Sequence, residues 1–332
     1  MTTPKPQHFR PKLIDFAKAS PPEWFSDRDA SSVWVAVHRM AMIRQHELPA
    51  RPVVIPLGDT LALVHWGTVR YTDASRAYIK LEADYSLNLN ETAAEDRESV
   101  VGAWLALISP HDIDGVKGHE PTTRRRLAAA AGLLSVMHGD NIAYSPLTEG
   151  VVQLKDLRIS SFGPVFRSPH ALPRPNLSRE ARTTTRAAVE SIQRFGVSER
   201  NRISLALHWH AQAIQEDGVE GFLKAWIALE VLAMDDTTDI TPICESLGRA
   251  YGLTGVEARD RFLVGRLFGL RSRIVHRGRT PDLPDAVNMY LQSIFSDVLV
   301  EHLALPPRHS AGAWLDREDT SLPALLTAAL AV

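Results

Sequence analysis

Four prolines stand between residues 163 and 180, in GPVFRSPHALPRPNLSRE, and no other stretch limits the fold as strongly. Each proline removes an amide donor and opposes helix at the residue before it, so neither a long helix nor an interior strand can run through. The chain is expected to divide here, with residues 166–180 as the connection between two domains. At 332 residues it is long enough to form two cores.

The two sides of the connection carry different patterns. Residues 1–165 mix strand and helix signals and are expected to form an α+β domain. PVVIPLGDTLALVHWGTVRYTD (52–73) places two β-rich runs around Gly58-Asp59, which predicts a hairpin. ESVVGAWLALI (98–108) and TTRRRLAAAAGLLSVMHG (122–139) are expected to be helical, and VVQLKDLRISSF (151–162) returns to strand. Beyond the prolines nearly everything is helical in pattern. Candidate helices cover 181–195, 198–217 with Ser198 as N-cap, 217–234 with Asp217 and Glu220 at capping-box spacing, 240–252, 255–278 and 284–304. An all-α bundle over 181–305 is the expectation, with 306–332 as a tail holding one short helix at SLPALLTAAL.

Charge and cysteine usage remove several function classes. Lys+Arg total 37 against Asp+Glu 39, so a polyanion can be bound only by a local patch, not by a broadly basic surface. Cys244 is the only cysteine, which excludes a disulfide within the chain and a cysteine-based zinc ribbon. The opening MTTPKPQHFRPKLIDF has no apolar core of a signal peptide, and no run of about 18 apolar residues occurs. A cytoplasmic protein without a membrane span is expected. No glycine-rich phosphate loop, Gly-x-Ser-x-Gly elbow or dinucleotide fingerprint is present.

The densest charge lies in GVEARDRFLVGRLFGLRSRIVHRG (255–278). Arg259, Arg261, Arg266, Arg271, Arg273, Arg277 and Arg279 fall within it or directly after it, without a lysine. Guanidinium groups make forked contacts to phosphate that an ammonium cannot. Leu263, Leu267, Leu270 and Ile274 form the core stripe of this helix. Arg271 and His276 are five residues apart, so on a regular helix their side chains diverge by roughly 140°. One substrate can meet both only if the last turn unwinds before Gly278 or if a second copy of the helix approaches. Upstream, Glu230 lies beside the apolar stripe of GFLKAWIALEVLAM. A carboxylate there needs a partner, and an arginine of the 255–278 helix is the expected one.

These segments together, NRISLALHWHAQAI, then GFLKAWIALEVLAM, then RFLVGRLFGLRSRIVHRG, resemble the HEPN (higher eukaryotes and prokaryotes nucleotide-binding) superfamily. The nearest branch is the ApeA-like one, known from bacterial antiphage defence. The resemblance covers about 185–305 and rests on an arginine followed after four residues by histidine, met by Arg271 and His276. It implies a HEPN-like helical bundle and a metal-independent endoribonuclease with no cofactor, acting as a homodimer whose two motifs face each other.

In that setting His276 is the expected general acid or base and Arg271 the group that holds the scissile phosphate. Arg273 and Arg277 would bind neighbouring phosphates, with Ser272 and Glu230 supporting. Many active members carry Asn, Asp or His where Ser272 stands. The first 165 residues would then sense a trigger or restrain the helical effector; a non-catalytic dimerisation or nucleotide-binding module is the alternative.

Other features point to structure. His210 continues the stripe Ile203, Leu207, Ile214 and is expected in the core. HDIDGVKGHE (111–120) gathers histidines and carboxylates but matches no complete calcium or zinc spacing, so no metal is assigned to it. Trp24, Trp34, Trp66 and Trp104 are expected to build a core, and Arg124, Arg125 and Arg126 a solvated face.

Overall fold

A computed structural model describes residues 32–40, 52–58, 60–73, 78–81, 87–91, 100–110, 119–138, 144–153, 159–162, 179–234, 237–278, 281–317 and 321–331. Most of the proline-rich connection, the His/Asp cluster at 111–118 and Trp24 lie outside them. The chain forms two compact units: residues 1–130 with 142–182, and residues 131–141 with 183–332. An α+β amino-terminal part thus precedes a helical carboxyl-terminal part.

The first unit is built on a sheet of eight strands: β1 (Ser32–Met40), β2 (Val53–Leu57), β3 (Thr60–Asp73), β4 (Tyr78–Leu81), β5 (Leu87–Glu91), β6 (Val100–Pro110), β7 (Tyr144–Gln153) and β8 (Ile159–Phe162). Their order is β4-β5-β3-β6-β1-β7-β8, with β2 also paired to β3. The β2–β3 hairpin turns at Gly58, whose φ of 64° is open to glycine at no steric cost. The long β3 takes β2 along its first five residues and β5, in parallel, along its last five.

The segment 98–108, expected as a helix, is strand β6 from Val100. It lies between β1 and β3, where Ala103–Ile108 are buried from end to end. A strand covered on both faces reads as a continuous apolar run without alternation, which is why its period misled. Helix α1 (His119–His138) follows, and its first half belongs to this unit. Arg126 donates to Ser109 Oγ at 3.2 Å, and Arg124 lies over the Trp34 ring while pairing with Glu149 at 3.0 Å. Two arginines expected on a solvated face are therefore anchors of α1.

The second unit contains α2 (Arg179–Arg194), α3 (Val197–Ala213), α4 (Gly218–Ala233), α5 (Thr241–Tyr251), α6 (Gly255–Arg261), α7 (Val264–Arg277), α8 (Asp285–His302), α9 (Ser310–Leu315) and α10 (Leu322–Ala331). At its centre α8 buries Val287, Asn288 and every residue from Tyr290 to Val300, an almost complete circumference for one helix. His210 of α3 is buried with them, stacked on Phe295 at 4.4 Å between ring centres.

The last turns of α1 also belong to the helical unit. Gly132 sits so close to α3 that an added Cβ would stand 2.3 Å from the Leu207 carbonyl oxygen. His138 and Thr185 share a buried hydrogen bond of 3.0 Å, and Arg308 donates to the carbonyls of Val136 and Met137, satisfying the end of α1. The helical unit thus starts earlier than the prolines suggest and includes the 306–332 tail.

Several local expectations need correction. The helix expected over 198–217 covers Val197–Ala213, with Gly196 rather than Ser198 at its N-cap, and Asp217 caps α4 without a side-chain hydrogen bond. The reciprocal capping box is instead formed by Thr254 and Glu257 at the start of α6. The span 255–278 is two helices. Leu263 adopts a left-handed φ of 56°, Phe262 is fully buried, and the Phe262 carbonyl freed at the break accepts the Tyr290 hydroxyl at 2.8 Å.

Candidate functional site

Helix α7 starts at this break and runs unbroken to Arg277, where Gly278 closes it in the left-handed conformation. Val264, Leu267, Leu270 and Ile274 bury one face and so fix the direction of every other side chain. Because the last turn stays helical, Arg271 and His276 remain about 140° apart around the axis. Of the two ways of joining them, unwinding toward Gly278 is thereby removed.

Arg271 is the best-positioned of the candidate residues. Its Nη2 lies 3.2 Å from Glu230 Oε1 and 3.4 Å from Oε2, so the expected ion pair between α7 and α4 is present. The same Oε1 accepts the indole N–H of Trp226 at 2.7 Å. Trp226 is fully buried and leans on Phe268 of α7, so the indole is fixed, the carboxylate is fixed by the indole, and the guanidinium by the carboxylate. Both charged side chains keep about a quarter of their surface in solvent, 25% for Arg271 and 23% for Glu230. Glu230 engages one nitrogen of a five-donor group, and no further partner of Arg271 is found among the described residues. The remaining N–H groups are available to an external acceptor such as a phosphate oxygen.

The other candidates are distributed around the helix. Ser272 is half-buried, whereas His276 and Arg277 are exposed at the last turn. Between Arg271 and His276 in angle lie Phe268, Ser272 and Val275, the last 49% exposed. Next to Glu230 on α4, Leu223, Ile227 and Val231 recur every four residues and stay half-buried. A partly apolar strip therefore flanks the arginine.

Arg273 is used differently from its expected role, since its Nη1 donates to the carbonyl of Leu330 in α10. Within one chain the structure joins Arg271 to Glu230 but does not bring His276 to either of them.

Sequence inspection overlooked Trp226 as a polar contributor. Its place within an apolar stripe concealed the fact that a buried indole needs an acceptor, and Glu230 four residues later was the available signal. No cluster of three or more His, Cys, Asp or Glu side chains able to hold a metal occurs among the described residues. Cys244 is buried, and that burial pushes its thiol up to about 11, away from nucleophile chemistry. No helix among the described residues is long and apolar enough to cross a membrane. Compared with known protein families, with curated proteins and with solved structures, the chain matches none.

Proposed function

We propose that the helical unit is a metal-independent endoribonuclease of HEPN type that acts as a homodimer. The observation that carries this reading is the state of Arg271. Its guanidinium is held from one side by Glu230 and open on the others, on a helix that ends with an exposed histidine. A group of this kind suits a phosphodiester, and RNA brings its own nucleophile in the 2′-OH. His276 takes the hydroxyl proton or protonates the leaving 5′-oxygen, while Arg271 stabilises the charge that grows on the phosphate. The products are a 2′,3′-cyclic phosphate and a 5′-hydroxyl end. Arg277 holds an adjacent phosphate, and Ser272 orients one of these groups.

A second copy completes the site, because one regular helix keeps the two side chains about 140° apart. The half-buried strip of Leu223, Ile227 and Val231, with exposed Val275, offers apolar area for that contact. The sheet unit is then the part that recognises a trigger, in a cytoplasmic defence or toxin-like role suggested by the ApeA-like resemblance.

Incubation of the protein with RNA in the presence of a chelator tests the reading. Cleavage with a cyclic-phosphate end is expected, with DNA of the same sequence left intact. His276→Ala and Arg271→Ala should each reduce the rate by roughly 10²–10⁴. Undiminished cleavage by His276→Ala, in protein of unchanged oligomeric state, rejects the mechanism. RNA binding without cleavage would favour a non-catalytic module.

A further inference from the structure

Arg273, the arginine of α7 nearest to His276 around the helix axis, is half-buried against a neighbouring helix, whereas Arg266 and Arg277 are exposed. Arg266, Gly269 and Arg273 follow one another at three- and four-residue spacing, so they share one face of α7. Helix α10 lies on that face. Arg273 donates to the Leu330 carbonyl, Arg266 Nη1 is within 3.4 Å of the Pro323 carbonyl and of Thr327 Oγ1, and a Cβ on Gly269 would lie 4.0 Å from Leu330 Cδ2. His276 comes three residues after Arg273 and Arg277 four after it. Their side chains therefore lie within about 60° and about 40° of Arg273 around the axis. A phosphate chain that reaches His276 on this side meets the last turn of α10.

We propose that α10 is a built-in strap whose carbonyl-bearing last turn occupies the position that an RNA phosphate would take on Arg273. This rests on the ribonuclease reading for the identity of the polyanion. The docking of α10 is uneven in a way that suits such a device. Leu322 and Leu326 are fully buried and anchor its first turns; in the last turn only Ala329 is buried, while Leu330 is half-buried and Ala331 exposed. The last turn can lift while the anchor stays. A phosphate oxygen carries charge where the Leu330 carbonyl carries only a dipole, so RNA competes well for the guanidinium once the turn has lifted. The strap thus sets a threshold on RNA affinity.

A reversible lock tests this in the full chain. Gly269→Cys with Leu330→Cys puts one thiol on each of the two contacting helices, crosslink formation is confirmed by loss of free thiol before binding is read, and the buried Cys244 does not compete. Binding is read by fluorescence anisotropy with a short 2′-O-methyl oligoribonucleotide, which cannot be cut. The oxidised form should bind at least about tenfold more weakly than the same protein after reduction. Equal affinities overturn the proposal, as does the absence of binding in both forms.

A second variant makes the answer independent of the crosslink. Leu330→Pro breaks the last turn and should tighten binding over the parent by about threefold or more, a gain that Arg273→Gln removes. No gain, or a gain that survives Arg273→Gln, also overturns it. Cleavage of unmodified RNA separates the two readings. Binding that responds to the lock without any cleavage sustains the strap and rejects the ribonuclease, whereas equal cleavage by both forms does the reverse.

Discussion

Tyr251 donates its hydroxyl to Asp297 Oδ2 at 2.6 Å, and its oxygen in turn accepts the Gly312 amide at 2.8 Å. Asp297 is only 2% exposed and also accepts the amides of Ser310 and Ala311, so one carboxylate from α8 ties α5 to the start of α9. Burial, then the adjacent carboxylate, raise the Tyr251 pKa, which keeps the phenol a donor throughout the ordinary pH range. Asp297→Ala leaves three donors without their acceptor and is expected to cost about 3 kcal/mol. Tyr251→Phe should cost about 1–2 kcal/mol. Urea unfolding measures both, and an unchanged midpoint for Asp297→Ala would show that the network contributes nothing.

The indole–carboxylate–guanidinium chain makes a graded prediction. Trp226→Phe keeps an aromatic ring in the pocket but removes the N–H, so Glu230 loses a fixed hydrogen bond and about 1–2 kcal/mol of stability goes with it. Glu230→Gln should cost only about 1 kcal/mol, because both partners of the ion pair are a quarter exposed and solvent screens them. Under the ribonuclease reading both changes lower the cleavage rate with little change in RNA affinity. A fall in affinity alone would place Glu230 outside the reacting group.

Much of the helical unit was legible because its periods are regular. Gly252 and Gly278 close α5 and α7 in the left-handed conformation, and Glu230 has the arginine partner that its semi-buried position demands. What stayed hidden depends on contacts distant in sequence. Strand β6 owes its conformation to pairing with β1 and β3 on either side, and its own residues suit a buried helix equally well. The break at Leu263 follows from no glycine or proline; it stands because Phe262 is buried and Tyr290 takes its carbonyl. Arg273 resembled a solvent-facing cation until α10 supplied the Leu330 carbonyl, 57 residues away.

Gly132 tests the close approach of α1 to α3. Gly132→Ala would raise helix propensity by about 1 kcal/mol at an unobstructed site. Here the new methyl meets a backbone oxygen at 2.3 Å, and a backbone carbonyl cannot swing aside as a side chain can. The helices must separate, at a cost of about 1–3 kcal/mol for overpacking, so a net loss is expected. Thermal unfolding gives the sign, and a stabilised variant would mean that α1 does not pack on Leu207.

His210 confers a pH dependence whose sign follows from its surroundings. Burial lowers its pKa from 6.5 to about 3, its ring stacks on Phe295, and its Nδ1 has no hydrogen-bond partner among the described residues. The folded state therefore holds a neutral imidazole, whereas the unfolded chain takes up a proton as pH falls through about 6.5. Stability from this source is complete above that value and declines below it until the folded ring also protonates near pH 3. Between pH 7 and pH 5 the loss should reach roughly 2 kcal/mol. His210→Leu, which fills the site without a titrating group, should abolish this component. The His38 ring of the sheet unit is shifted the same way, to about 4 by burial, so the difference between parent and variant isolates His210. Parallel stability curves for the two proteins over this range would show that the His210 ring reaches water in the folded state.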